Sequence, residues 1–227
     1  MRGFRLENGV EVWHRLVLRD GLMVREGFGP DLSLMKEWSA TYKKVERYLD
    51  GSIILDIGAN LGIFSRMALT RFGAEKCFCY EPDPGAFSVL RHNVRKGNLF
   101  QSAVGECSGT TELNISPSGN SISASTVFNK RGRQSLKVDQ VSFTKIVEKH
   151  SPTLIKSDCE GAELYWLNGQ TLPEFVKVVT AELHREEPGF EQLSEKVIRS
   201  FRRGWKEIHP PRSYSFHRCW IVSWVRI

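Results

Sequence analysis

Two short stretches of this 227-residue chain concentrate the side chains that could do acid, base or metal chemistry. The richer is Leu154-Ile155-Lys156-Ser157-Asp158-Cys159-Glu160-Gly161-Ala162-Glu163. Lys156, Asp158 and Glu160 are spaced two apart, so an extended chain projects them to one side. Charges gathered in this way can position a hydroxyl acceptor, tune a general base or hold a divalent metal. The plainer account is a helix N-terminus, which favours acids, with Asp158 or Glu160 capping it. The second stretch, Ala181-Glu182-Leu183-His184, again sets two such side chains, Glu182 and His184, on one side. Imidazole is a base near neutral pH, although a lone histidine is as readily structural.

Two further stretches look suited to binding. Asp56-Ile57-Gly58-Ala59-Asn60-Leu61-Gly62 ends an apolar run and precedes a helical pattern. Glycine there lets backbone approach a ligand, and the helix N-terminus offers free N–H groups. The spacing is neither G-x-G-x-x-G nor a phosphate-cradling P-loop, which disfavours a pyrophosphate cofactor. By itself the loop is also compatible with a simple tight turn. Glu81 follows the next apolar run, 23 residues after Gly58, where a carboxylate can accept from both ribose hydroxyls of a nucleoside. An N-cap or solvated acid is the bland alternative, since Pro82-Asp83-Pro84 turns the chain into a helix immediately afterwards. Loop and acid together favour a nucleoside-containing ligand.

The elements that must position these residues follow from pattern. Asn8-Gly9 and Asp20-Gly21 supply the positive φ of hairpin turns and predict a small antiparallel meander over residues 4–27. Asp31 is placed to cap a helix carrying Leu34, Met35, Trp38, Tyr42, Val45 and Leu49. Ile53–Ile57 reads as a strand buried on both faces, and Ile63, Phe64, Met67, Ala68 and Phe72 have helical spacing. A strand at Lys76–Tyr80, a helix from Pro84 to Lys96 and a strand at Leu99–Val104 come next. This alternation is the signature of a doubly wound parallel sheet. Thr110–Ile115 is expected as an added edge strand, 117–133 as a mobile, lid-like surface loop, and Val138–Val141 as a short strand with Ser142 capping a helix to His150. Leu154–Lys156 and Lys177–Leu183 supply two more parallel strands, with a helix starting near Gly161. A helix over Glu191–Phe201 precedes a closing antiparallel pair, Trp205–Ile208 and Cys219–Ile227. The chain thus divides into an N-terminal meander plus helix (1–50) and an α/β domain (51–227).

Composition bounds the function classes. Hydrophobic residues make up 41% and charged residues 26%, ordinary for a soluble globular protein. No run approaches the roughly 18 apolar residues of a membrane span, and no apolar signal core follows Met1, so a cytoplasmic location without membrane attachment is expected. Cys77, Cys79, Cys107, Cys159 and Cys219 form no disulfide framework, and Cys77 and Cys79 lack the second ligand pair of a zinc site. The net charge of +6 suits an anionic partner without naming one. Arg199, Arg202, Arg203, Lys206, Arg212 and Arg218, interleaved with Trp205, Tyr214, Phe216 and Trp220, could grip phosphates and stack bases. A solvated basic face over core aromatics explains the same stretch.

Over about residues 50–185 the chain resembles the FkbM family of S-adenosylmethionine-dependent methyltransferases. The resemblance rests on Leu55-Asp56-Ile57-Gly58-Ala59-Asn60-Leu61-Gly62-Ile63-Phe64-Ser65, Tyr80-Glu81-Pro82-Asp83-Pro84, Ala103-Val104-Gly105-Glu106 with Gly109-Thr110, the run Ile155 to Glu163, and Glu182-Leu183-His184. It implies a Rossmann-like, seven-stranded α/β sheet with adenosylmethionine over the carboxyl edge of its first half. Asp56, Gly58, Asn60 and Gly62 would then line the methionine end, Glu81 would grip the ribose, Ser102, Ala103 and Val104 would flank the adenine, and Ala59, Phe64 and Pro82 would also belong to the cofactor site. Family members typically methylate hydroxyl groups, often on sugars of glycans or natural products, so a carbohydrate or small-molecule acceptor is expected. Asp158, Glu160, His184, Lys156 and Glu182 would form the catalytic set, with His184 or Asp158 as base. A divalent metal on Asp158 and Glu182 could instead lower the hydroxyl pKa, and the sequence does not choose between the two. The segments 117–135 and 205–227 carry no family signal, and acceptor choice would reside there. RNA 2′-O-ribose methylation is the alternative activity, and a non-catalytic nucleoside-binding protein is the third reading. The sequence has no Asn/Asp-Pro-Pro-Tyr/Phe motif after the fourth strand, which disfavours methylation of DNA adenine. Oligomeric state is not legible.

Overall fold

The computed structural model describes residues 42–115, 124–127, 134–185, 187–213 and 219–227, preceded by four short strands. These are β1 (Arg2–Arg5), β2 (Glu11–His14), β3 (Leu16–Arg19) and β4 (Leu22–Arg25). The predicted meander divides into two hairpins, β1 with β2 and β3 with β4, and its Asn-Gly and Asp-Gly turns lie outside the described residues. Leu22 and Val24, two apart on one face of β4, are buried against Leu61, Ile63, Ala86 and Val89. Asn93 locks this contact, accepting from Met23 N at 2.7 Å and donating to Met23 O and Leu61 O. Of the predicted helix from Asp31, residues 31–41 lie outside the described residues. Residues 43–50 are turns and one 3-10 turn at Glu46–Tyr48, not α-helix. Hydrogen bonds from Tyr48 N to Val45 O and from Leu49 N to Glu46 O tighten it, and Val45 and Leu49 still point into the core.

The α/β unit runs β5 (Ile53–Ile57), α1 (Ile63–Arg71), β6 (Lys76–Tyr80), α2 (Pro84–Asn93), β7 (Asn98–Phe100), β8 (Ala103–Gly105), β9 (Gly109–Ile115), β10 (Gln134–Ser142) and α3 (Phe143–His150). It continues through β11 (Leu154–Ser157), α4 (Glu163–Trp166), β12 (Val178–His184), α5 (Phe190–Ser200), β13 (Trp205–Ser213) and β14 (Cys219–Arg226). A seven-stranded sheet has the order β13-β14-β12-β11-β5-β6-β7. Strands β12 to β7 are parallel, while β14 runs antiparallel to both β12 and β13. This is the predicted α/β class, with a mixed sheet.

Period-two alternation assigns the apolar side chains to two cores. Leu55, Ile57, Ile155 and Val179 face α3, α4 and α5, while Ile54, Leu154, Cys77 and Cys79 face α1 and α2. Burial on both faces is why these strands read as continuous apolar runs. From β5 the chain steps outward to β6 and β7, then returns to add β11 and β12 on the other side. The strand order therefore reverses between β5 and β11, and a crevice opens at their carboxyl ends. Register pairs Asp56 with Lys156 and Ile57 with Ser157 beneath it.

Several boundaries differ from expectation. The strand predicted over Leu99–Val104 breaks at Gln101-Ser102: β7 stays in the large sheet, and β8 pairs in parallel with β10 in a separate β8-β10-β9 sheet. The predicted edge strand and short strand become one long antiparallel ladder, β9 with β10. Of the predicted lid 117–133 only 124–127 are described, and Ser125 bridges back to Asn114. The helix near Gly161 is a single turn. Helix α2 ends at Asn93 rather than Lys96. Strand β13 extends to Ser213 with register shifts around His209, where Pro210 and Pro211 cannot donate to a ladder. All five cysteines are free thiols. Among the described residues no helix is long and apolar enough to cross a membrane.

Candidate active site

The two walls of the crevice are pressed together at Gly58, the first residue after β5. Its φ is +73°, and a Cβ there would fall 1.7 Å from the carbonyl oxygen of Asp158. Only glycine fits. Lys156, buried in β11, fastens the same place: Nζ donates to Gly58 O at 2.7 Å and lies 3.2 Å from Asp56 Oδ1 and 3.7 Å from Asp158 Oδ2. Burial alone would lower the pKa of this ammonium, but Asp56 and the other anionic groups around it hold it well above the usual lysine value.

On the β5–β6 side, Asn60 takes a left-handed φ of 49°, a conformation asparagine tolerates. Its backbone N–H donates to Glu81 Oε2 at 2.8 Å, and Asp83 N donates to Glu81 Oε1 at 2.8 Å. Each oxygen of this buried carboxylate keeps lone-pair capacity for the cleft it lines. Burial, then the charge of Asp83, pushes the Glu81 pKa up to about 8 against the pull of the two N–H donors. Asn60 Oδ1 is buried with no hydrogen-bond partner. Gly58, Asn60, Glu81, Pro82, Ser102, Ala103 and Val104 all line the cleft, as do Asp158 and Glu160 from the opposite wall.

Four residues expected at the cofactor do not line it. Asp56 is fully buried, accepts from Ser65 Oγ at 2.7 Å and anchors Lys156. Ala59 and Phe64 belong to the core, with Phe64 edge-on to Tyr42. Gly62 starts α1 in a left-handed conformation, and a Cβ would meet Leu90 and Val94 within 2.6 Å. They shape the loop from beneath. Sequence reasoning missed Leu113 and Thr126, which reach the cleft from β9 and from the segment after it.

On the β11–β12 side, His184 is buried between two acids. Nδ1 is 2.9 Å from Glu163 Oε1, and Nε2 is 3.4 Å from Glu160 Oε2. Glu163, fully buried, also accepts from the backbone N–H of His184 at 3.1 Å and of Gly161 at 2.9 Å. Burial would lower the His184 pKa, yet Glu163 and Glu160 raise it well above the usual value. Burial lifts the Glu160 carboxyl to about 8, against the attraction of His184. Glu160 has a φ of 51°, and its carbonyl accepts from Ser125 Oγ at 2.8 Å. One ligand atom from each of Asp158, Glu160 and His184 lies within 4.8 Å of the others.

Glu182 is not one of those three, and its Oε1 accepts from the Cys219 thiol of β14 at 2.8 Å. Of the expected metal pair, Asp158 with Glu182, only Asp158 belongs to the group whose ligand atoms converge, the others being Glu160 and His184. Glu163 carries a structural role that sequence reasoning did not assign, although it sits in the run that drew attention. In the basic C-terminal stretch, Arg226 lies over the Trp205 ring at 4.4 Å and Arg185 over the Trp220 ring at 3.8 Å. Arg199 pairs with Glu195. Tyr214, Phe216 and Arg218 lie outside the described residues.

The sequence pattern of the FkbM methyltransferase domain matches residues 56–216. The chain belongs to the FkbM methyltransferase family. No curated protein sequence matches it significantly. Among solved structures it is similar to the FkbM methyltransferase of Methylobacillus flagellatus, with a TM-score of 0.51, 18% identity, and coverage of 78% of this chain and 44% of that one. The chain thus spans less than half of that neighbour's length, and the likeness establishes the fold. It is also similar to the precorrin-6y C5,15-methyltransferase of Geobacter metallireducens (TM-score 0.44, 12% identity, 93% of each chain). A third is the ribosomal protein L11 methylase of Lactobacillus delbrueckii subsp. bulgaricus (TM-score 0.44, 11% identity, 87% of this chain and 78% of that). The FkbM family is S-adenosylmethionine-dependent, and the crevice of this member suits that group. It offers a carboxylate with lone pairs at Glu81, a side-chain-free approach at Gly58 and an unsatisfied acceptor at Asn60 Oδ1.

Proposed function

We propose that this FkbM-family chain binds S-adenosylmethionine in the crevice and transfers its methyl group to a hydroxyl of a carbohydrate or small molecule. The observation that carries the reading is the convergence of Glu81 from one wall with Asp158 and Glu160 from the other, lining a single cleft at the point of strand reversal. Bound S-adenosylmethionine supplies an electrophilic methyl group on a sulfonium. Glu81 would accept from the ribose hydroxyls, Ser102 to Val104 would flank the base, and Asn60 Oδ1 would accept from a donor on the ligand. The protein's remaining task is to align the acceptor oxygen and take its proton.

Asp158 is the better placed of the two candidate bases. Glu163 takes Nδ1 of His184, and Nε2 is turned toward Glu160 in a buried position instead of standing alone before an incoming hydroxyl. Asp158 lines the cleft with about a quarter of its side chain exposed. His184 and Glu160 then orient the acceptor, and Lys156 holds Asp158 and Gly58 in place. The groove formed by Lys43, Lys44, Arg47 and Lys206 is the feature that favours an RNA acceptor instead. The decisive experiment is transfer of a labelled methyl group from adenosylmethionine into host extract, with and without nuclease. Nuclease-resistant label in the carbohydrate or small-molecule fraction is expected. Label lost to ribonuclease would transfer the reading to RNA, and absence of adenosylhomocysteine binding would overturn both.

A further inference from the structure

We propose that Asp158, Glu160 and His184 form a divalent-cation site at the acceptor end of the crevice, an inference that rests on the hydroxyl-methylating reading of the same cleft. Ligands held about 2.2 Å from one ion stand roughly 3 to 4.4 Å apart, and one atom from each of these three residues already lies within 4.8 Å of the others. The three come from two elements that adjacent parallel strands hold in fixed register, β11 with its following loop and the end of β12.

The second observation lies outside the cluster. A metal-bound histidine passes its other ring N–H to a carboxylate, which fixes ring and tautomer. Glu163 does this here: fully buried, it takes both Nδ1 and the backbone N–H of His184, and so leaves Nε2 aimed at the cluster. The Nε2 to Glu160 distance of 3.4 Å is longer than the roughly 2.7–2.9 Å of a formed charge-assisted hydrogen bond. A separation of 3.4 Å is also that of two ligands of one ion. Three acids, Asp158, Glu160 and Glu163, gather around two cationic side chains, and Lys156 is held more closely by Asp56 at 3.2 Å than by Asp158 at 3.7 Å, while His184 lies between Glu160 and Glu163.

Asp56 is engaged by Lys156 and Ser65, and Glu182 accepts from Cys219. Two carboxylates and one imidazole suit a hard to borderline ion such as Mg²⁺ or Mn²⁺, with the remaining positions open to the cleft for oxygens of the acceptor. A cation so placed would lower the pKa of the hydroxyl to be methylated, and Asp158, with two oxygens, could serve ion and hydroxyl together.

The test is titration of the full chain with Mn²⁺, followed by electron paramagnetic resonance and calorimetry, with and without adenosylhomocysteine. One Mn²⁺ per chain is expected. His184→Ala should weaken it by more than tenfold, and Glu163→Gln by about tenfold or more, the usual effect of removing a supporting carboxylate. Cys219→Ser should leave it unchanged. The melting curve and adenosylhomocysteine binding of each variant show that it is folded, and Glu160→Gln replaces His184→Ala if that variant is not. A chain that binds adenosylhomocysteine but takes up no Mn²⁺, or Mn²⁺ binding that survives His184→Ala undiminished, overturns the cation site and leaves the methyltransferase reading standing. Loss of adenosylhomocysteine binding by the unaltered chain would strike the methyltransferase reading, while the Mn²⁺ titration would still decide the cation site.

Discussion

The two walls of the crevice meet a ligand in different ways. After β5 and β6 the chain presents backbone and one carboxylate: Gly58, the Asn60 loop, and Glu81 held by two N–H donors. After β11 and β12 it presents ionisable side chains in mutual contact: Lys156, Asp158, Glu160, Glu163 and His184. The first wall offers fixed positions and suits a cofactor that is the same in every turnover. The second offers charge that can be redistributed, which proton removal or cation binding requires. Gly58 and Lys156 join the walls, so changes there should fail in both respects.

The sharpest way to separate the walls is Asp158→Asn. If it takes the acceptor proton, turnover should fall by roughly 10²- to 10⁴-fold, while adenosylhomocysteine affinity, measured by calorimetry, stays within about threefold. Equal loss of both would show that the second wall also builds the cofactor site. Lys156→Met attacks the joint. It strands Asp56 as a buried charge and should cost about 3–5 kcal/mol in urea denaturation. Adding Asp56→Asn should restore part of that, because the stranded charge is then gone. Gly58→Ala attacks the same joint by steric means: a Cβ in contact with Asp158 O, at positive φ, should cost about 2–4 kcal/mol and weaken adenosylhomocysteine binding together with turnover.

The walls were also unequally legible in the sequence. Ile53–Ile57 and Lys76–Tyr80 could be placed because strands buried on both faces show as apolar runs, and the residues just beyond such a strand lie at its carboxyl end. That logic located Gly58, Glu81, Asp158 and His184. It could not reveal that Asp56 and Phe64 point beneath the loop, since side-chain direction depends on which strand lies beside them. Nor could it show Glu163 reaching His184, a contact that needs β12 beside β11. Glu182 was read as a site residue from its spacing to His184, and spacing could not show that the register of β14 sets Cys219 beside it to donate to its carboxylate. The break at Gln101-Ser102 was hidden for the same reason: β8 leaves the main sheet for a partner, β10, some 35 residues later in the chain. Local pattern reports burial, and long-range pairing decides the company each polar group keeps.

The smallest expected effect sharpens the contrast from the cofactor side. Glu81 holds its proton up to about pH 8 because burial disfavours the carboxylate. Ribose hydroxyls donating to Glu81 would favour the ionised form, so adenosylhomocysteine affinity should rise with pH, roughly tenfold between pH 7 and 8.5, and level off above. Stability of the ligand-free chain should run the other way. Between the ordinary carboxylate pKa of 4.5 and about 8 the native state holds a proton that the unfolded state has lost. The contribution of Glu81 is therefore fully present below 4.5 and falls as pH rises through 8. Glu81→Gln should flatten both trends, in calorimetric titration and in melting curves across that range. Opposite slopes that vanish together in one variant would tie the first wall to the nucleoside, whereas an affinity that ignores pH would mean that the ribose is held elsewhere.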